Sequence, residues 1–264
     1  MEFLALALMG AVAGVLAGLL GIGGGAIIVP VLVFVFEMQH VDPGIIMHAA
    51  LGTSLATIVF TSLSTVLTYQ RSGTVNWKVF RKITPGILIG GLLGAGIADR
   101  LSSLALHVMF VLFMFFVAVQ MSRKTIASSA HRGLPGMWGT TVAGTIIGAV
   151  SSIFGIGGAS LSVPFMTWCS LSVRQAIATS SAIGMSVAAS ATAGYMILGL
   201  DEPKLPPWSI GYVVLPAFLG VVVASVLAAP FGARLSHRLS EVTLRRIFAL
   251  FVTVLGIRML WVLL

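Results

Sequence analysis

The feature that most constrains this chain is the length of its uncharged runs. Between Met1 and Val35 the only ionisable side chain is Glu2. A helix crosses the hydrocarbon of a bilayer with about 20 apolar residues. Backbone groups placed in lipid must find partners inside the spanning structure, which leaves helices or a closed barrel. Barrel strands alternate apolar and polar residues over about 10 positions, and no stretch of this sequence alternates in that way. The expectation is an all-α, polytopic integral membrane protein. Composition agrees: 58% of the 264 residues are hydrophobic and 8% are charged, against about 25% charged in a soluble domain. Glu2 stands in the first segment without a Lys or Arg, so that segment is read as retained and not as a cleaved signal. The net charge of +8 falls in loops that flank apolar runs, which excludes a nucleic-acid-binding domain. Cys169 is the only cysteine, so no intramolecular disulfide can form.

Charges, prolines and apolar runs divide the chain into ten segments, at about 3–20, 25–36, 45–70, 79–98 and 103–122, then 137–154, 159–170, 175–199, 209–230 and 243–263. The two sets of five repeat each other. Gly21-Ile22-Gly23-Gly24-Gly25 with Val29-Pro30 matches Gly155-Ile156-Gly157-Gly158-Ala159 with Val163-Pro164. Ala50 through Thr53-Ser54 matches Ala176 through Thr179-Ser180, Tyr69 matches Tyr195, and Arg100-Leu101-Ser102 matches Arg234-Leu235-Ser236. The expected units are a first repeat at 1–122, a linker at 123–135 and a second repeat at 136–264. Internal repeats of this kind are a hallmark of secondary transporters.

Lys and Arg set the orientation, because cytoplasmic loops carry an excess of them. Placing loop 71–82 inside puts 12 of the 15 basic residues inside and leaves only Arg100, Lys204 and Arg258 outside. Both termini are then external. Loop 71–82 is inside while its repeat partner 200–208 is outside, so the two copies run in opposite directions through the membrane. The expected location is a bacterial-type plasma (inner) membrane. Segments 25–36 and 159–170 are short for a crossing, so the first two segments of each repeat form a glycine-broken or re-entrant pair.

The glycine clusters carry the candidate chemistry. Glycine lets the backbone break a helix and puts no side chain over it. The first turn of the next helix then offers unpaired N–H groups and the positive end of a dipole, a combination that attracts anions. Gly21, Gly23, Gly24 and Gly25 on one side and Gly155, Gly157 and Gly158 on the other are therefore the candidate substrate-binding backbone. Ser160 adds a hydroxyl donor. The neutral hydroxyls of Thr53, Ser54, Thr179 and Ser180, repeated beside the clusters, suit an oxyanion that must be bound and released. The competing reading of glycine in membrane helices is close packing, and it is the better one for Gly10, Gly14 and Gly18 and for Gly86, Gly90 and Gly94, spaced every four residues.

The two Gly-Ile-Gly-Gly clusters with their Val-Pro pairs, and the repeated Thr-Ser pairs, resemble the signature of the TauE/SafE family of sulfite and organosulfonate permeases. The likeness covers nearly the whole chain, with Ala159 in place of the last glycine of the second cluster. The resemblance implies a transporter of small sulfur-containing oxyanions such as sulfite or a sulfonate, not an enzyme, with no cofactor.

Other features carry less. No segment holds Lys, Arg, Asp or Glu at mid-membrane, and Arg258 near a helix end is expected to snorkel to the surface. His48 is the one histidine near the proposed route and is a candidate proton relay; a cap or an interfacial histidine is the plainer reading. No histidine pair has metal-ligand spacing, so no metal site is expected. Gly21-x-Gly23-x-x-Ala26 matches a dinucleotide fingerprint only in form, since no strand precedes it. Gly158-Ala159-Ser160 lacks the partner histidine that an intramembrane serine protease needs. Trp77, Trp168, Trp208 and Trp261 lie near segment ends, as interfacial anchors do. A homodimer would be unsurprising, though no residue argues for one.

Overall fold

The computed structural model describes residues 10–16, 18–19, 24–122, 133–235 and 241–263. The calls on Gly21 and Gly23, and most of the expected linker, lie outside the described residues. Helix α1 includes 10–16 and 18–19. It is followed by α2 (Gly25–Met38), α3 (Ile46–Arg71), α4 (Trp77–Asp99) and α5 (Ser103–Ser122). The second set is α6 (Met137–Ile153), α7 (Ala159–Trp168), α8 (Val173–Leu198), α9 (Leu215–Leu235) and α10 (Glu241–Leu263).

Among the described residues, four stretches are long and apolar enough to cross a membrane: Ile46–Arg71, Ser103–Gln120, Val173–Leu198 and Leu215–Gly232. Large apolar side chains face outward in stripes, such as Leu88, Ile89, Leu92 and Leu93 on α4 and Leu219, Val223 and Leu227 on α9. A soluble protein would hide these; a lipid-facing surface requires them. Trp77, Trp168, Trp208 and Trp261 are all exposed, in keeping with anchoring at an interface.

The all-α expectation is corrected at one place. Residues 209–214, expected to begin an apolar helix, form a small antiparallel hairpin of β1 (Ser209–Ile210) and β2 (Val213–Val214). Gly211 turns it at φ 53°, and α9 starts only at Leu215. Periodicity cannot separate a short apolar strand from the first turn of a helix.

Residues that match across the repeat make matching contacts. Gly86, Gly90 and Gly94 lay α4 directly on the backbone of α6, where an added Cβ at Gly90 would stand 2.8 Å from the Thr145 carbonyl carbon. Gly144 and Gly148 of α6 return the contact against Ile83 and Ile87. In the other half, Gly10 and Gly14 of α1 lie on Val221 and Ser225 of α9. Small residues every fourth position permit this approach. Each half thus packs its first helix on the fourth helix of the other. The hydroxyl of Tyr69 donates to the Gly18 carbonyl (2.9 Å) and that of Tyr195 to the Ser152 carbonyl (3.3 Å). The matched tyrosines latch the ends of α1 and α6, the helices that run into the glycine clusters.

Candidate functional site

Two short helices start inside the molecule from left-handed glycines. Gly24 caps α2 at φ 81° and Gly158 caps α7 at φ 75°, positions related by the same 134-residue shift as the clusters. Only glycine holds this conformation without a steric penalty. The Gly24 carbonyl accepts from the amides of Ile27 and Ile28, and the Gly158 carbonyl from those of Leu161 and Ser162. The amides of Gly25 and Ala26, and of Ala159 and Ser160, precede these and have no partner within their own helix. Pro30 and Pro164 sit at the sixth residue of each helix, where the missing N–H removes the bond to the Ala26 or Ser160 carbonyl. At 10 residues, α7 spans about 15 Å, half the hydrocarbon thickness.

The two clusters touch. A Cβ at Gly25 would press on the Gly155 carbonyl oxygen and stand 2.9 Å from the Ile156 Cα. The Ser54 hydroxyl of α3 donates to the same Gly155 carbonyl at 3.1 Å. A Cβ on Gly184 of α8 would lie 2.5 Å from the Gly157 carbonyl oxygen. The second cluster is therefore held between α2, α3 and α8, with α6 contributing Ser151 beside Gly158.

Sequence-predicted hydroxyls divide by use. Thr53 accepts from the Val214 amide (3.0 Å) and Thr179 from the Asn76 amide (2.9 Å). Each therefore satisfies the backbone just before the other half's fourth helix, again in matched fashion. As acceptors they keep their own hydrogens to donate. Ser180 donates to the Ile177 carbonyl of its own helix at 2.7 Å. Ser160 is 2% exposed, and its Oγ has no hydrogen-bond partner; Ser162, fully buried two residues on, is in the same condition. Buried hydroxyls without partners are rare in native proteins, and each asks for a missing ligand or water. Ala26 and Ile28 hold the matching positions of the first cluster, so this feature is one-sided.

His48 is brought to a different place. Its Nε2 lies 3.1 Å from both the Ala98 and Leu101 carbonyls at the end of α4, and its ring stacks on Tyr212 at 5.1 Å. This is the geometry of a helix cap. The Tyr212 hydroxyl donates to Asp99 at 3.1 Å; burial and then the Asp99 charge push Tyr212 up to about 12, so it remains a donor at neutral pH. Arg258 is half-exposed, and its guanidinium lies 3.9 Å from the centroid of the Phe34 ring. Among the described residues no cluster of three or more His, Cys, Asp or Glu could hold a metal ion.

Sequence reasoning missed Tyr69, Tyr195 and Ser152 as parts of the site's frame. Tyr69 and Tyr195 stood out only as repeat markers, and nothing local says that a tyrosine will reach a carbonyl 43 or 51 residues away. Thr53→Ala should lower stability by about 1–3 kcal/mol, because the buried Val214 amide loses its acceptor, and Thr179→Ala by less, because the Asn76 amide is only part-buried. Thermal unfolding in detergent checks this; unchanged midpoints would mean that the amides of Val214 and Asn76 find other partners.

These features define a polytopic helical membrane protein with a packed, glycine-broken centre, and comparison with known proteins places it among membrane transporters. The chain belongs to the sulfite exporter TauE/SafE family, whose model matches residues 6–259. It is 34% identical over 252 residues to a probable membrane transporter protein of Haemophilus influenzae, covering 96% of both chains. A probable membrane transporter protein of Methanocaldococcus jannaschii is 26% identical over 258 residues, covering 97% of this chain and 94% of its own. One from Bacillus subtilis is 31% identical over 219 residues, 75% of this chain and 80% of its own. No solved structure matches.

Proposed function

We propose that this chain is a secondary transporter of a small sulfur-containing oxyanion, sulfite or an organosulfonate, and that it exports it by alternating access around the glycine clusters. The observation that carries the reading is the matched pair of left-handed caps, Gly24 and Gly158, on clusters in backbone contact, with the buried Ser160 hydroxyl unpartnered beside one of them. Helix starts and hydroxyls together bind oxyanions without a fixed positive charge, which suits a cargo that must leave. The reciprocal packing of the halves supports two related copies, 1–122 and 136–264; the Lys/Arg distribution supports their opposite orientation in the plasma membrane with both termini external. Rocking of the halves about this contact would open it to each side in turn. Export of an anion is favoured by an inside-negative potential, by about 2.3 kcal/mol per charge per 100 mV.

The test is uptake of labelled sulfite and of taurine or isethionate into proteoliposomes. Saturation and counterflow are expected; flux that rises linearly and shows no counterflow would identify a channel, and no flux of any of these anions would end the substrate assignment. Ser160→Ala should raise the half-saturating concentration about fivefold, the worth of one hydrogen bond of about 1 kcal/mol. It should leave the melting temperature unchanged, because this hydroxyl bonds nothing in the protein. An unaltered half-saturating concentration would remove Ser160 from the site.

A further inference from the structure

A second polar group lies away from the glycine clusters, where α2, α5 and α10 meet. Pro30, Phe34 and Glu37 share one face of α2 and line a cavity of about 10 Å³ with His107 of α5 and Arg258 and Met259 of α10. That volume is at the lower bound for a single water molecule. Arg258 is held over Phe34 and within electrostatic reach of Glu37. His107 is 7% exposed. Its ring lies against the Met259 backbone and its Nε2 has no partner; an Nδ1–H donated to the Met259 carbonyl is the arrangement these two facts fit. A neutral imidazole has one N–H. With Nδ1–H donating, Nε2 carries a lone pair and is a buried, unpartnered proton acceptor.

An acceptor repels an anion and calls for a donor. The cavity is also too small for a sulfur oxyanion. We propose that His107 and Glu37 form a proton-binding site, bridged by one water and balanced by the fixed charge of Arg258, which couples proton movement to anion movement through α2. A proton from solvent binds at Nε2, with the Glu37 carboxylate as its counter-charge, and no covalent bond breaks. With His107 neutral and Glu37 ionised, Arg258 brings the group to zero net charge; the proton makes it +1 and alters how α10 and α5 hold the end of α2.

The coupling half of this rests on the reading of the glycine clusters as the anion site. α2 is the common element: Gly25 at its start packs on the second cluster, and Glu37 lies 12 residues on (37 − 25), about 18 Å away along a helix. The matching position of the second half is Leu171, so the group belongs to one half only. Other charged groups nearby are otherwise placed: His40, on the turn after α2, is exposed, and Asp42 is paired with Lys204 at 3.1 Å.

The experiment has two arms on the full chain. In detergent, the ring nitrogens of histidines labelled with nitrogen-15 are followed by NMR, with His107 assigned by the signal lost in His107→Gln. The Nδ1–H tautomer is expected, with a protonation midpoint lower by at least about 0.5 in Glu37→Gln than in wild type, because an opposite charge no longer favours the imidazolium. The other tautomer, no titration, or the same midpoint in Glu37→Gln would overturn the proton site. In proteoliposomes carrying a pH dye, methanesulfonate, which is fully ionised, serves as the anion. Wild type is expected to move protons with it, and the ratio of protons to anions should fall at least several-fold in His107→Gln. Anion flux without proton flux in wild type would overturn the coupling and leave the glycine site standing. No anion flux at all would overturn the anion reading and with it the coupling, while the NMR arm still decides the proton site.

Discussion

Gly25→Ala is expected to give protein that assembles poorly and does not transport. The new Cβ would press on the Gly155 carbonyl oxygen and stand 2.9 Å from both the Ile156 Cα and the Ile58 Cδ1. Two of these three obstacles are backbone, which has no rotamer to change. Overpacking of this kind costs about 1–3 kcal/mol, more than the roughly 1 kcal/mol that replacing a helical glycine by alanine returns. Relief requires α2 to move off the second cluster, separating the elements that the transport site needs together. Gly96→Ala is the matched control: it is also a glycine inside a helix, and nothing lies within 4 Å of its added Cβ. It should melt at or above the wild-type temperature. Size-exclusion profile, thermal unfolding and sulfite flux measure both variants. Wild-type behaviour of Gly25→Ala would show that the two clusters are not in contact.

Gly90→Ile and Gly14→Ile should be more damaging still, and by similar amounts. Each places a branched side chain into a seam where backbones touch. At Gly90 the Cβ alone would be 2.8 Å from the Thr145 carbonyl carbon and 2.9 Å from the Ala149 amide; at Gly14 it would be 2.6 Å from the Ser225 Cα. Each should lose about 3 kcal/mol or more, the upper range for forced overpacking. Within lipid, close contact of small residues is a main source of helix association, so no hydrophobic gain offsets the loss. The yield of monodisperse protein and its unfolding midpoint decide the matter. Collapse of Gly90→Ile beside normal behaviour of Gly14→Ile would show that the two seams are not equivalent.

Much of the frame was legible from residues alone. Long uncharged runs announced membrane helices, and the starts of α2 and α7 fall at the glycine clusters because glycine takes the left-handed caps at positions 24 and 158 without a steric penalty. The spaced glycines Gly86, Gly90 and Gly94 read as a packing face, and they are one. The hairpin at 209–214 was not legible, because Ile210, Val213 and Val214 suit the apolar start of a helix equally well. Arg258 shows the same limit in another form. Its sequence neighbourhood does not say what the side chain rests on, and only the fold sets Phe34 and Glu37 of the facing helix beside it.

Within the candidate site, sequence supplied residue types and left their partners open. Thr53 and Thr179 looked like paired oxyanion ligands, and each proves to hold an amide of the opposite half. Ser54 looked like their companion and donates to Gly155. Ser160 is the hydroxyl left over, and nothing in its local sequence distinguishes it from Ser180, which bonds its own helix.

The sequence by itself determined that the chain is built of apolar helices, where α2 and α7 start and which motifs repeat, because hydropathy, glycine freedom and proline's missing N–H act within a few residues. Only the tertiary structure decided which hydroxyls are satisfied, that the two glycine clusters meet, and that Glu37, His107 and Arg258 gather around one small cavity. Those outcomes depend on contacts between residues about 50 to 220 positions apart, whose geometry is set by the packing of the helices on one another and by no local preference.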